Sequence, residues 1–333
     1  MYKVSEEIMI VIGIDVSKDK LDVAWLRSLE PLKVKSKIIK NTPEGYTALI
    51  NWVEYNTQQS INELHFVMEA TGVYHEALAY HLFEARANVS VINPAKISDY
   101  GKSLGSRTKT DKKDSVVIVR YGVTQSPPLW QPEATEIRQL KALIARYDAI
   151  EKDIQREKNR LEKASVSQVS NEVIDSITTV LTELKKEQAR LKKLIDDHIE
   201  QHPQLKQDRK FLESIPGVGP VISSYMIAMI RSRDFNAARQ CSAYVGLNPI
   251  HRESGTSVRG RSHLSKAGSA KIRAKLYMAA VVATKYNPDI KAQYERLLNR
   301  GKSKMLAIGA AMRKLVQICF GVLKHQSPYQ PQI

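Results

Sequence analysis

Short apolar runs alternate with helically spaced segments over the first 130 residues. Residues 8–16, IMIVIGIDV, form an unbroken β-branched run, the pattern of a strand buried on both faces. A polar SKD turn separates it from KLDVAWL, which reads as its hairpin partner. KSKIIKN is a third short strand with a polar face. Pro43 to about Tyr55 carries helical spacing through Tyr46, Leu49, Ile50 and Val53. LHFVMEA is a fourth strand, YHEALAYHLFEA a helix, and VSVINPAKI a fifth strand ended by Asn93-Pro94. A basic loop, KSLGSRTKTDKKD, then runs into the helix DSVVIVRYGV. Three strands followed by alternating helix and strand is the element order of a ribonuclease-H-like α/β domain, here over residues 1–130.

The pattern changes at residue 133. Leu140, Tyr147, Ile154 and Leu161 recur every seven residues, with Ile137 and Ile144 as a second seam that Glu151 and Lys158 dilute. The polar stretch KASVSQVSN follows, and then Ile174, Ile177, Leu181, Leu184, Leu191 and Ile195 resume the seam. Two heptad helices joined by about ten polar residues predict an antiparallel coiled-coil hairpin over residues 131–204. Two ordinary bundle helices are the plainer alternative, and either arrangement offers a surface for oligomers. Residues 205–333 predict a mainly helical domain interrupted by the loop HRESGTSVRGRSHLS, which is rich in Gly, Ser and Arg.

Charge sharpens this division. Lys and Arg number 22 against 6 Asp and Glu from Leu205 onward, whereas residues 1–204 hold 29 of each. The rear 129 residues therefore carry the whole excess of +16, which points to a polyanion, most simply nucleic acid. The two cysteines, Cys241 and Cys319, lack the spacing of a disulfide framework or zinc site and fit a reducing cytoplasm. No apolar run is read as reaching the roughly 18 residues of a membrane span, and the N-terminal run turns acidic without a cleavage site, so no membrane partner is expected.

Four carboxylates stand out against this framework. Asp15 lies where a central strand leaves its apolar run, a costly place for an unpaired charge. Glu69 ends the fourth strand, which neighbours the first in this topology. Asp111 and Asp114 are three apart at a helix start and share one face. Converging, the four would suit magnesium, a hard cation that bridges to phosphate oxygens. Each also has an ordinary explanation, as a turn residue, strand-end charge, helix cap or dipole partner. Asp19 and Asp22 lie nearby, but Asp22, on the hairpin, is expected to be exposed, and both are left out of the set.

Two loops in the rear half suggest contacts with a phosphate backbone. IPGVGP precedes an apolar helix like the turn of a helix-hairpin-helix module, where Gly217 and Gly219 permit a tight turn and helix-start N–H groups grip phosphate. A turn that only packs is the alternative. The loop from His251 to Ser265 sets Ser254, Ser257, Ser262 and Ser265 among Arg252, Arg259 and Arg261, with Lys266 just beyond. Arginines beside a serine can stabilise charge on an attacked phosphate. From spacing alone, the loop equally fits phosphate binding without chemistry.

The segments GIDVSKDKLDVAWL, MEATGVYHEAL, NPAKISDYGKSLGSRTKTDKKDS, LESIPGVGPVIS and AYVGLNPIHRESGTSVRGRSHLSKAGSAKIRAKLYMAA resemble the DEDD transposases of the insertion-sequence family often called "IS one-ten", relatives of Piv-type DNA invertases. The resemblance covers nearly the whole chain. It implies a RuvC-like domain with its acidic tetrad on Asp15, Glu69, Asp111 and Asp114, binding magnesium. It implies a helical transposase domain whose nucleophile is Ser254, matched by the Ser-Gly of ESGTS, with Ser257 only three residues on. SKAG matches the basic segment that follows, with Lys266 and Gly268, and Arg252, Arg259 and Arg261 fall in the phosphate-binding loop. Ser115 departs from the alanine expected after DKKD. The resemblance further implies donor and target DNA, a structured bridge RNA as guide, dimers and tetramers through the coiled coil, and a bacterial or archaeal cytoplasm. A metal-only structure-specific nuclease and a non-catalytic nucleic-acid-binding protein are the competing functional classes.

Overall fold

The computed structural model describes residues 10–104, 111–167, 169–250, 253–254, 258–259 and 263–332, with backbone alone at 111–113, 253–254 and 258–259. Where the sequence pattern marks three segments, the chain divides into two compact units, Met1–Pro132 and Glu133–Ile333.

The first unit is built on β1 (Ile10–Val16), β2 (Lys20–Ser28), β3 (Lys33–Lys40), β4 (Leu64–Glu69) and β5 (Asn88–Ile92). Their order in the sheet is β3-β2-β1-β4-β5. The first three strands pair antiparallel, and β4 and β5 run parallel to β1. This is the expected ribonuclease-H-like arrangement, with the fourth strand beside the first. The uninterrupted apolar character of β1 follows from its place between two covered faces. On one face Ile12, Ile14 and Val16 pack with Leu49 and Val53 of α1 (Pro43–Thr57) and Leu78 and Leu82 of α2 (Glu76–Glu84). On the other, Val11, Ala24 and Val67 pack with Ile97 of α3 (Pro94–Ser103) and with Ile118 and Val119 of α4 (Asp111–Gln125).

The fifth strand ends at Ile92, just before Asn93-Pro94 as its pattern predicts, and a helix that the pattern does not mark begins there. Asn93 caps α3, its side chain accepting from the Ala95 N–H at 2.8 Å, and Pro94 occupies the first helical turn. An Asn-Pro pair that ends a strand also satisfies the requirements for starting a helix. Beyond α4 the chain is tied back to the sheet. The Ser90 hydroxyl donates to the Pro128 carbonyl at 2.8 Å, the Trp130 N–H donates to the Val89 carbonyl at 2.6 Å, and the Trp130 ring meets Tyr80 and Phe83 edge-on.

The second unit opens with α5 (Thr135–Val166) and α6 (Asn171–Gln201). The connection is four residues, not ten, because KASVSQVSN holds no Gly or Pro and α5 continues through its first half. The helices run antiparallel: Ile154 packs with Leu181 at one level, while Ile137 and Leu140 share a core with Ile195 and Ile199 at the other. That second cluster continues into α7 (Pro203–Glu213), α8 (Pro220–Ile230), α9 (Ala238–Tyr244), α10 (Ala270–Tyr286), α11 (Pro288–Asn299) and α12 (Lys304–His325). The hairpin base and the rear helices thus form one body. By length and mean hydropathy α12 qualifies as a membrane span, although Arg313 and Lys314 interrupt it. Its apolar residues from Ala307 to Leu323, among them Leu315, Val316 and Cys319, instead lie inside this core.

Candidate active site

The acidic site is defined by how closely α4 crosses the sheet. A Cβ on Gly13 would stand 2.5 Å from the Val119 nitrogen and 2.6 Å from the Ser115 carbonyl oxygen. One on Gly122 would stand 2.7 Å from Val11 Cγ1 and 2.8 Å from Val67 Cγ2. No side chain fits at either crossing: glycine lets helix and strand backbones touch at Gly13 and lets the helix backbone settle on the Val11 and Val67 side chains at Gly122.

The acids are placed from these contacts. Asp15 lies two residues past Gly13 and so on the same face of β1. Glu69 lies two past Val67 on β4, one step beyond the register pair Ile14↔Met68. Asp114 immediately precedes Ser115, whose carbonyl is at the Gly13 crossing. All three are half-buried, and Asp111 is the first residue of α4. The structure therefore brings the ends of two neighbouring strands and the first turn of one helix to one side of the sheet. Among the described residues no three His, Cys, Asp or Glu side chains stand close enough together to hold a metal ion; the Asp111 side chain lies outside that description. Asp15, Glu69 and Asp114 are among the described side chains, so these three do not by themselves form such a group; their carboxylate oxygens are hard donors, the chemistry that a divalent cation takes.

Asp22 corrects the sequence reading. It is buried, at 6% exposure, and stands directly across from Asp15 in the β1–β2 ladder. Directly opposed residues project to the same face with Cβ atoms about 5 Å apart. Hairpin position alone implies exposure, but α4 covers this part of β2. Asp22 pairs with the Lys20 ammonium at 3.1 Å. Together with Ser36, Ile38 and Ser115 it lines a cavity of about 240 Å³.

The serine loop stands on a rigid base. β6 (Pro249–Ile250) pairs with β9 (His263–Leu264), and nearer the tip β7 (Glu253–Ser254) pairs with β8 (Val258–Arg259). Ser254 is thus backbone-paired with Val258 near the end of a two-step hairpin. Arg252, Ser257, Arg261 and Ser262 lie outside the described residues, and for Arg259 the backbone alone is described. Below the ladders two segments interlock. A Cβ on Gly246 (φ +78°) would meet the Ala267 oxygen at 2.2 Å, and one on Gly268 (φ +96°) the Tyr244 oxygen at 2.1 Å. The Lys266 N–H donates to the Gly246 carbonyl at 3.1 Å, and Lys266 is exposed with a left-handed backbone (φ 55°). Arg273, which the sequence reading passed over, donates from Nη1 to the Val245 carbonyl at 3.1 Å and the Gly268 carbonyl at 3.0 Å. It therefore ties both ends of the loop to α10. Its helical position resembles that of any surface arginine, so only the fold reveals this role.

The Gly-Pro turn is formed as its spacing predicts. Gly217 (φ +101°) lies against α10, where a Cβ would meet Ala283 Cβ at 2.8 Å. Gly219 caps α8, with nothing within 4 Å of where its Cβ would stand. The turn both packs and leaves a helix start open. Both cysteine thiols are buried, and desolvation pushes each up to about 12, which makes them inert as nucleophiles.

A ribonuclease-H-like sheet with acids at its strand ends, in a chain that also carries a basic helical unit, has the features of enzymes that act on nucleic acid. Comparison with known proteins narrows this. Residues 12–169 match the DEDD transposase model and residues 209–295 the model described as "Transposase IS116/IS110/IS902 family". The pilin gene-inverting proteins of Moraxella bovis and Moraxella lacunata are each 31% identical over 330 residues, covering 97% of this chain and 98% of theirs. An IS110 protein of Streptomyces coelicolor is 25% identical over 48% of this chain and 39% of its own length. A Thermus thermophilus RuvC structure covers 37% of this chain and 100% of its own at 14% identity, with a TM-score of 0.27, too loose a superposition to carry weight. The chain belongs to the IS110 family of transposases and recombinases and is an enzyme acting on DNA.

Proposed function

We propose that this transposase breaks and rejoins DNA by a serine mechanism assisted by an acidic metal site. Asp15, Glu69, Asp111 and Asp114 hold the cation, and Ser254 is the nucleophile. The observation that carries the acidic half is the Gly13 crossing, which brings Asp114 to the strand ends bearing Asp15 and Glu69. A divalent cation such as magnesium, held by these carboxylates, would supply charge neutralisation for a phosphodiester and lower the cost of forming an oxyanion. The chain's own residues do the rest. The Ser254 hydroxyl oxygen forms a bond to phosphorus as one phosphodiester P–O bond breaks. The departing strand leaves with a hydroxyl, its proton balancing the one lost from serine. Because one ester replaces another, the step is reversible and needs no external energy source. Arg252, Arg259, Arg261 and Lys266 neutralise the attacked phosphate, while the Gly217–Gly219 turn holds the duplex backbone without reading its sequence.

A structured bridge RNA chooses donor and target, in keeping with the net positive charge after Leu205. Subunits associate through the coiled-coil hairpin, which leaves Val166, Val173 and Val180 exposed around its tip. The deciding experiment uses end-labelled DNA. Ser254→Ala should abolish the denaturant-stable protein–DNA adduct while retaining DNA binding. Adduct at normal yield would remove Ser254 and leave Ser257 to be tested. Cleavage with no adduct in the unaltered protein would favour a metal-only nuclease.

A further inference from the structure

Asp22 is a buried carboxylate that the proposed chemistry does not use. Burying a charge is costly unless it is paired, and Lys20 supplies that pairing for Asp22. Its partner, Lys20, is 40% exposed at its side chain, so a surface contact would have served that lysine equally well. The position of Asp22 is specific. The ladder sets it opposite Asp15. The same face carries Ala24 opposite Gly13, where α4 touches the sheet. The cavity that Asp22 lines is also lined by Ser115, the residue after Asp114. Asp22 thus stands opposite one acid of the proposed tetrad, on β1, and shares a cavity with the residue that follows another, on α4.

We propose that Asp22 is a positioning residue for the acidic site, a fifth negative charge behind the tetrad that raises its affinity for a divalent cation. This inference rests on the metal-site reading given above. Asp22 acts through the electrostatic potential at Asp15 and Asp114, not as a direct ligand, and Lys20 is the counter-charge that makes its burial tolerable in the metal-free protein. Removing the two partners must therefore move cation affinity in opposite directions. A plain structural ion pair makes no such demand, because losing either half harms the fold alike and leaves cation affinity alone.

The test is Mn²⁺ titration of the full chain, by calorimetry and by the manganese electron paramagnetic resonance signal, without DNA. Asp22→Asn should weaken Mn²⁺ binding by roughly tenfold, and Lys20→Met should strengthen it by roughly threefold, the smaller effect reflecting solvent screening of the lysine. The double variant should fall between the two. Unchanged affinity in both single variants, or weakening in both, overturns the proposal. Should Asp22→Asn fail to fold, Lys20→Met decides alone: tighter binding supports the proposal, and equal or weaker binding overturns it. Asp15→Asn is the control. Loss of Mn²⁺ binding there, alongside unchanged affinity in the Asp22 and Lys20 variants, overturns the role of Asp22 and keeps the tetrad. Normal binding in Asp15→Asn overturns both.

Discussion

The acidic face of the first unit and the serine loop of the second hold their groups in different ways. Asp15, Glu69 and Asp114 sit on a five-stranded sheet and a 15-residue helix whose backbones meet at Gly13, with Gly122 packed on the Val11 and Val67 side chains. Their positions are set by the packing of a whole core. Ser254 sits on a two-residue strand beyond another two-residue ladder, with the Gly246–Gly268 interlock and Arg273 as its footing. Carboxylates that share a cation need fixed spacing, and regular elements provide it. A serine proposed to attack a DNA backbone benefits from projection on a loop, provided that its base is rigid. The contrast accounts for the glycines in each place. In the first unit they permit close packing in ordinary conformations. In the second, Gly246 and Gly268 also take left-handed backbone angles.

Altering each region separately can break this comparison. The largest effect is expected from Asp15→Asn, which should lower DNA cleavage by on the order of a thousandfold; cleavage within tenfold of the unaltered protein would deny the acidic face its role. Next, Gly246→Ala combines a left-handed φ with a Cβ 2.2 Å from the Ala267 oxygen. It should cost about 2–3 kcal/mol and remove most covalent adduct while leaving Mn²⁺ affinity unaltered. Gly13→Ala should show the reverse pattern. Pushing α4 off β1 costs about 1–3 kcal/mol and weakens Mn²⁺ binding, read by titration and thermal melting together. If Gly246→Ala also impaired Mn²⁺ binding, the two regions would not be separately built. The smallest effect is expected from Arg273→Lys. One ammonium is a poorer match to two carbonyls than a guanidinium, so adduct yield should drop by roughly threefold to tenfold at unchanged DNA affinity. A matching fall in DNA affinity would mean that Arg273 contacts DNA and does not position the loop.

Much of the fold was legible along the chain. The apolar run of β1, the heptads of α5 and α6 and the helical spacing of α1 each have a period that local geometry imposes. The strand order was legible too, because three strands followed by alternating elements leave few ways to build a sheet. The start of α3 was hidden because Asn93-Pro94 suits a strand end and a helix start alike. The length of α5 was hidden because polar residues without Gly or Pro do not end a helix. For the site, Asp15 and Glu69 could be picked out as charges at the ends of apolar runs, and the structure places their strands side by side. Asp22 could not, because its burial depends on α4, which begins 89 residues later.

The sequence by itself determined where most of the strands and helices lie, which residues carry negative charge at strand ends, and that the net positive charge falls in the rear half. These follow from periodicity and composition, which act over a few neighbouring residues. Only the tertiary structure decided that Gly13 is a contact between backbones, that Asp22 faces Asp15 beneath α4, and that Arg273 secures both ends of the serine loop. Each of those facts joins residues distant along the chain, and such meetings are set by the packing of whole elements against one another.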